Sequence, residues 1–273
     1  MQTIIIHTQD LSLAQKISNS LDGVLNKKKN HFRVSTRNSI NLTQLRDLNK
    51  VDINLVSPKL NYSNVKLLVS DMDSTLITIE TIDEIARLRG KSNEVTSITE
   101  DAMQGRLDFE ESFKKRVSIL KGTNISTFKT VYDSHLTLSQ GAHEMIDFFK
   151  SINVKSAVVS GGLNYFAERL HKELKIDTFR ANNVEIINQG LSGKVLGNVI
   201  DAKEKAHYIN ELCSLYQIET DQVIAIGDGA NDIEMMKVSG MSVAYKGKPL
   251  LQKNCDVVLN YSGLDAVIDF FDN

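Results

Sequence analysis

Two aspartates one residue apart, in the run Asp71-Met72-Asp73-Ser74-Thr75, close an apolar stretch at 65–70. Carboxylates that face one crevice repel, and the arrangement is costly unless a cation neutralises them or one stays protonated. A hard divalent ion with oxygen ligands, such as Mg²⁺, supplies that neutralisation. Alone, the pair also fits a solvated strand-to-loop turn. Three further segments add to it. Ser160-Gly161-Gly162 ends a second apolar run before a helical pattern. A hydroxyl and exposed amides at a helix start form an anion site, and glycine lets the backbone approach closely. Lys205 borders the helical stripe Ala206, Ile209, Leu212 and Cys213, where an ammonium can hold a phosphate as a point charge. Gly227-Asp228-Gly229-Ala230-Asn231-Asp232 brings two more carboxylates on a glycine-flexed turn. Each piece has a plain alternative: a tight turn, a surface lysine, a loop. Their common position, at or after the carboxyl end of an expected strand, gives them weight together.

The elements that must hold these residues are short apolar runs at 65–71, 155–160, 223–228, 241–245 and 256–259. Such runs, with little alternation, read as buried parallel strands covered on both faces. Helical patterns at 141–152, 163–174, 203–216 and 233–238 separate them. The fold class is α/β, a doubly wound parallel sheet with a Rossmann-like core. Residues 65–79 and 139–273 form that core. The intervening 80–138 carry no strand signal and read as an inserted helical cap over the carboxyl edge of the sheet. Thr81-Ile82-Asp83-Glu84 and Ser97-Ile98-Thr99-Glu100 fit capping boxes at helix starts. Residues 184–200 suggest a hairpin. Residues 1–64 form a small α/β N-terminal unit, with strands at 3–7, 31–35 and 52–56 and a helix at 11–25. A polar linker at 57–64 holding Pro58 ends it. So small a unit must lean on the rest of the chain or on another subunit.

Composition narrows the function classes. The 273 residues are 41% hydrophobic and 24% charged with a net charge of −2, which predicts neither a nucleic-acid nor a membrane-surface binder. Any phosphate recognition must therefore come from local donors. Cys213 and Cys255 lack metal-ligand spacing and read as reduced, buried thiols. None of the six histidines pairs at zinc-ligand spacing. Residues 27–33 read as a solvated basic loop, while Met235-Met236 and Phe148-Phe149 read as helix core. The Gly227-x-Gly229 turn lacks the rest of a dinucleotide fingerprint. The amino terminus does not fit a signal peptide, and no apolar run approaches the roughly 18 residues of a membrane span. A cytoplasmic protein is expected.

With all four motifs in view, residues 65–273 resemble the haloacid dehalogenase-like hydrolase superfamily. Asp71–Thr75, Ser160, Lys205 and Gly227–Asp232 match its four motifs in order. The segments DMDSTLITIETIDEIA, AMQGRLDFEESFKKRVSIL, VVSGG and IGDGANDIEMM further resemble the phosphoserine phosphatase family within it. That resemblance implies hydrolysis of L-phosphoserine, a small-molecule substrate, in serine biosynthesis. It implies Asp71 as nucleophile, Asp73 as acid and base, and Mg²⁺ on Asp71, the Asp73 carbonyl and Asp228, with Asp232 in support. Ser160, Gly161 and Lys205 would hold the phosphoryl group, and Asn231 would touch substrate or orient Ser160. It also assigns substrate contacts to Glu80, Phe109 and Arg116. The residue chemistry agrees: Phe109, Phe113, Arg116 and Leu120 share one helix face. An arginine there needs an anion, such as a substrate carboxylate, and Glu80 suits an ammonium group. An internal salt bridge or a snorkelling arginine is the plain alternative. A related phosphatase or phosphotransferase with another substrate, and a metal-binding protein without activity, stay open. So does homodimerisation through residues 1–64, which the resemblance associates with a regulatory or dimerising role.

Overall fold

The computed structural model describes residues 1–56, 60–103 and 106–271. The start of the expected linker, 57–59 with Pro58, lies outside them, as do 104–105 of the insert. The first unit runs β1 (Gln2–Ile6), α1 (Leu11–Ser20), β2 (Val24–Lys27), β3 (Phe32–Thr36), α2 (Leu42–Asn49) and β4 (Ile53–Leu55). Its strands pair antiparallel in the order β2-β3-β1-β4. Ile4 and Ile6 pack with Ala14, Ile17, Phe32 and Val34. Ile5, on the opposite sheet face, packs into the larger core, so the small sheet is covered on both sides.

The first unit departs from the expected elements at three places. The helix expected over 11–25 stops at Ser20, where the Leu21 and Gly23 amides fold back onto the Ser18 carbonyl at 3.2 and 3.0 Å. Helix α2 is an addition to the expected elements; it has no fully buried residue, and Leu42 and Leu45 pack half-buried on the small core. The supposed solvated loop at 27–33 spans the β2–β3 turn, and its residues His31 and Phe32 are buried.

The second unit opens with β5 (Leu67–Ser70) and a π-helical turn (Met72–Leu76). The insert follows as α3 (Thr81–Leu88), α4 (Ser92–Met103), α5 (Phe109–Ile119) and α6 (Ile125–Thr130). The chain leaves and returns through a two-stranded neck, with the Thr78 amide on Thr137 O and the Ser139 amide on Leu76 O, both at 2.9 Å. Then come α7 (Ala142–Ser151), β6 (Lys155–Leu163), α8 (Asn164–Glu173), β7 (Thr178–Ile187) and β8 (Gly190–Leu196). The chain ends with α9 (Ala202–Tyr216), β9 (Val223–Gly227), α10 (Ile233–Val238), β10 (Met241–Tyr245), α11 (Pro249–Gln252), β11 (Val257–Leu259) and a 3-10 turn (Leu264–Phe270).

The seven strands order as β11-β10-β9-β5-β6-β7-β8, parallel except for β8, which runs antiparallel to β7. Leu67 and Val69 of β5 pack with Ile209, Leu212, Met235 and Met236 on one face. Leu68 packs with Phe149 and Phe166 on the other. Helices therefore cover both faces, and the all-apolar strands follow from that. The chain turns from β5 to β6 on one side and later returns to β9 on the other. The carboxyl end of β5 is thus the switch point where such sheets open a crevice.

Neither expected capping box forms. Glu80 stands at the start of α3 without a side-chain cap, Thr81 is its first residue, and Ser97 lies inside α4. The expected hairpin pairs Asn183 with Leu196 through Ile187 with Gly190 and turns at Asn188 and Gln189, both with positive φ, while the earlier part of β7, from Thr178, pairs with β6. It docks against the insert, with the Gly122 amide on Leu191 O at 2.7 Å and the Leu191 amide on Thr123 O at 2.8 Å. Among the described residues, no helix is long and apolar enough to cross a membrane.

Candidate active site

Asp71 directly follows β5, and its amide continues the ladder onto Ile226 O of β9 at 2.9 Å. The backbone then winds into the π-helical turn with Ser74 in the left-handed region at φ 57°. This turn separates the two acids. The Asp71 carboxylate takes the Met72 amide at 2.7 Å and the Lys205 ammonium at 2.8 Å. Asp73 accepts the Thr81 amide at 3.1 Å, so the first turn of α3 in the insert is bonded to the carboxyl edge of the sheet.

Lys205 is 0% exposed and joins two carboxylates, since it also reaches Asp232 Oδ1 at 2.7 Å. Asp201 starts α9 by accepting the Glu204 amide at 2.8 Å, which fixes the turn that carries Lys205. Asp232 in turn accepts the Asp228 and Gly229 amides at 3.1 and 3.0 Å and shapes the loop after β9. One oxygen from each of Asp71, Asp228 and Asp232 lies within 4.8 Å of the others. Thr75 donates toward Asp228 Oδ1 at 3.4 Å.

The electrostatics show an unbalanced cluster. Burial would lower the Lys205 pKa, yet Asp232 and Asp71 hold it above its ordinary value. Burial and Asp232 push Asp71 upward, against Lys205. Burial, then Asp232 and Glu80, push Asp228 up to about 6. Three carboxylates around one ammonium leave surplus negative charge, which repels a phosphate dianion. A hard divalent cation with carboxylate ligands fits this donor set and relieves both problems.

Ser160 lies near Asp73, with Gly162 close to both side chains. It is buried, and its Oγ accepts the Gly162 amide at 2.8 Å. A side chain at Gly162 would stand 2.2 Å from Asp73 Oδ2, and one at Gly161 would stand 2.6 Å from Phe109 Cζ. Close approach is what these glycines provide, and it brings Phe109 of the insert onto the irregular stretch of β6 between Val159 and Leu163. Burial, then the nearby Glu80, raise the Asp73 carboxyl to about 8 despite the Thr81 bond. Glu80 is exposed and accepts the Ser74 hydroxyl at 2.7 Å. Arg116 is half-buried, and its Nε is buried without a hydrogen-bond partner. Burial lowers its pKa against the attraction of Asp83, Glu80 and Asp73.

Asp71, Asp73, Ser160, Gly161, Lys205, Asp228 and Asp232 therefore converge at one crevice, with Glu80, Phe109 and Arg116 facing it from the insert. Asn231 reaches back over Gly229 and makes no hydrogen bond to Ser160. The side chain that fixes the neighbouring backbone is Asn182, which the sequence does not single out. It is buried in β7, donates to Gly161 O at 2.8 Å and accepts the Ile200 amide at 2.8 Å. It thereby ties β6 at Gly161 to the segment that leads into α9. A paired asparagine, Asn182-Asn183, inside an extended run was the available signal. Asp83, within electrostatic reach of Arg116, was read only as part of a capping box.

The parallel sheet, the nucleophile-like aspartate at its switch point and the buried lysine define a haloacid dehalogenase-like hydrolase. The model of that family matches residues 65–240. A protein named phosphoserine phosphatase from Polaromonas sp. strain JS666 is 40% identical over 222 residues, covering 80% of this chain and 94% of the relative. Within the hydrolase class, the chain belongs to the phosphoserine phosphatase family. Among solved structures, a HAD family hydrolase from Salmonella enterica serovar Typhi superposes with a TM-score of 0.91 at 30% identity, covering 100% of this chain and 99% of its own. A substrate-bound phosphoserine phosphatase complex superposes with a TM-score of 0.71 at 35% identity, covering 76% of this chain and 98% of its own.

Proposed function

We propose that this chain hydrolyses L-phosphoserine to L-serine and phosphate, with Asp71 as nucleophile and Asp73 as acid and base. The observation that carries the reading is Asp71 at the end of the central strand, on Lys205 at 2.8 Å, with a readily protonated Asp73 two residues on. An Asp71 oxygen attacks phosphorus while the bond from phosphorus to the seryl oxygen breaks. Asp73 gives its proton to that departing oxygen. Serine leaves, and Asp71 carries the phosphoryl group. Asp73, now a carboxylate, takes a proton from the water that attacks phosphorus, and the bond to Asp71 breaks to release phosphate.

Lys205, the Ser160 hydroxyl and the Gly161 amide would hold phosphoryl oxygens as charge redistributes. Asp71, Asp228 and the Asp73 carbonyl would hold Mg²⁺, with Asp232 shaping the loop; the ion would add positive charge at the phosphoryl group. Arg116 would take the substrate carboxylate and Glu80 its ammonium, with Phe109 closing over Gly161 and Asn231 at the edge of the phosphate site. Both cysteines are free thiols, consistent with a cytoplasmic setting.

A phosphate-release screen of L-phosphoserine against other phosphomonoesters, with and without Mg²⁺, tests the substrate. Phosphoserine should lead and require the ion; a flat profile across substrates would remove the assignment. Substitution Asp71→Asn should lower phosphate release by more than about a thousandfold with the fold intact. Retained turnover in that variant would end the nucleophile role.

A further inference from the structure

We propose that Asp52, in the small N-terminal unit, is a positioning residue for the loop that carries Asp228, so that this unit helps to build the metal-binding edge. The proposal rests on the reading of Asp228 as a metal ligand.

Asp52 immediately precedes β4 and is 0% exposed. Its carboxylate accepts three successive amides from the segment after β11: Asn260 at 2.8 Å, Tyr261 at 2.9 Å and Ser262 at 2.7 Å. A row of backbone amides turned toward one point is an anion-binding nest. Burying a carboxylate is costly unless such bonds replace its hydration, and Arg46 of α2 adds an attraction from its own side. The nest and its anion thus come from different units of the chain.

From this nest a continuous set of bonds leads to the site. Gln252 of α11 donates to Asn260 Oδ1 at 3.1 Å and to Gly247 O at 2.5 Å. The Lys246 amide donates to Leu259 O at 2.6 Å. Lys246 has a φ of 45°, a left-handed conformation that a lysine keeps only when its surroundings enforce it. The next link is the Lys248 amide, which donates to Asp228 O at 2.8 Å. Segment 246–248 therefore lies between the nest that Asp52 fills and the backbone of Asp228.

Docking of the unit does not depend on Asp52 alone. Asn54 of β4 donates to Val258 O at 3.1 Å and accepts the Val258 amide at 2.9 Å. Those bonds reach the strand β11 and not the loop beyond it. His7 and Arg33 reach Asp269 through separate contacts. Removing the Asp52 charge should therefore loosen the loop while the unit stays attached.

The test is Mg²⁺ titration by calorimetry on the full-length chain and on the variants Asp52→Asn and Gln252→Ala, together with thermal midpoints. Both variants should weaken Mg²⁺ binding about three- to tenfold, the range of couplings carried through packed networks. The KM for phosphoserine at saturating Mg²⁺ should stay within twofold or so of wild type. A lowered thermal midpoint with an unchanged Mg²⁺ dissociation constant means a merely structural role and overturns the proposal. Should Asp52→Asn not fold, Gln252→Ala decides by the same criterion. If the wild-type chain binds no Mg²⁺, the metal reading of Asp228 falls, and this inference falls with it. Mg²⁺ binding that is present and equal in all three proteins removes the inference alone.

Discussion

Asp71 and Asp73 are chemically identical and two residues apart, yet their surroundings divide the work. Asp71 faces the Lys205 ammonium, which counters the upward push of burial and Asp232 on its carboxyl. Asp73 has no cation in contact and sits near Glu80, and burial and that charge raise it to about 8. Its proton is present below that value and lost above it. The forward step needs the proton, so formation of aspartyl-phosphate should be level on the acid side and fall about tenfold per pH unit above about 8. Single-turnover phosphoenzyme formation, followed from about pH 6 to about pH 10, reads this directly. Substitution Asp73→Asn should slow the step by about a hundredfold or more and flatten the profile. A wild-type rate that stays level to the alkaline end would take the acid role away from Asp73. The acids, Ser160 and the Asp228 loop were legible because each closes or follows an apolar run, and Lys205 because it borders the apolar stripe of α9. Asn182 was not, because its partners are Gly161 O and the Ile200 amide, and no spacing rule joins residues that far apart.

At the level of elements, the central strands were readable because both faces are buried, while features decided by tertiary contact were misread. Thr81 looks like a helix cap, but its amide belongs to Asp73, and Glu80 takes the position before it. Helix α2 sets only Leu42 and Leu45, half-buried, against the small core, and strand β2 lies at the surface with little apolar pattern. Helix α5 was readable as a face, and its arrangement carries a prediction. Phe113 and Leu120 are buried, Phe109 rests on Gly161, and the Arg116 Nε between them has no partner. A buried donor without an acceptor marks the place of an anionic group. Substitution Arg116→Ala should therefore raise the KM for phosphoserine by about thirtyfold, equivalent to about 2 kcal/mol for a charge-assisted bond. Hydrolysis of a small aryl phosphate, which lacks the carboxylate, should change little. Equal losses on both substrates would mean that Arg116 supports the fold of the insert and does not select substrate.

At the level of the molecule, the N-terminal sheet is fastened to the core by polar groups as well as by Ile5. Asp269, in the last turn of the chain, binds His7 Nδ1 at 2.7 Å and lies 3.1 Å from His31 Nδ1. Arg33 donates to the Asp269 carbonyl at 3.0 Å, and Asp265 lies near on the same turn. Burial alone would raise the Asp269 pKa, but the bonds from His31 and His7 hold it below the usual carboxylate value. A group depressed in the folded state stabilises it above the unfolded pKa, and that contribution is lost as pH falls through the folded one. Substitution Asp269→Asn should therefore cost about 2 kcal/mol at neutral pH, the scale of a hydrogen bond to a charged group. The gap between wild type and variant should stay constant down to about pH 5 and narrow as pH falls through and below the ordinary carboxylate range near 4. Urea unfolding at stepped pH measures that gap. A difference that persists undiminished in acid would show that the loss comes from packing rather than from the ionised carboxylate, and the electrostatic account of this junction would have to be abandoned.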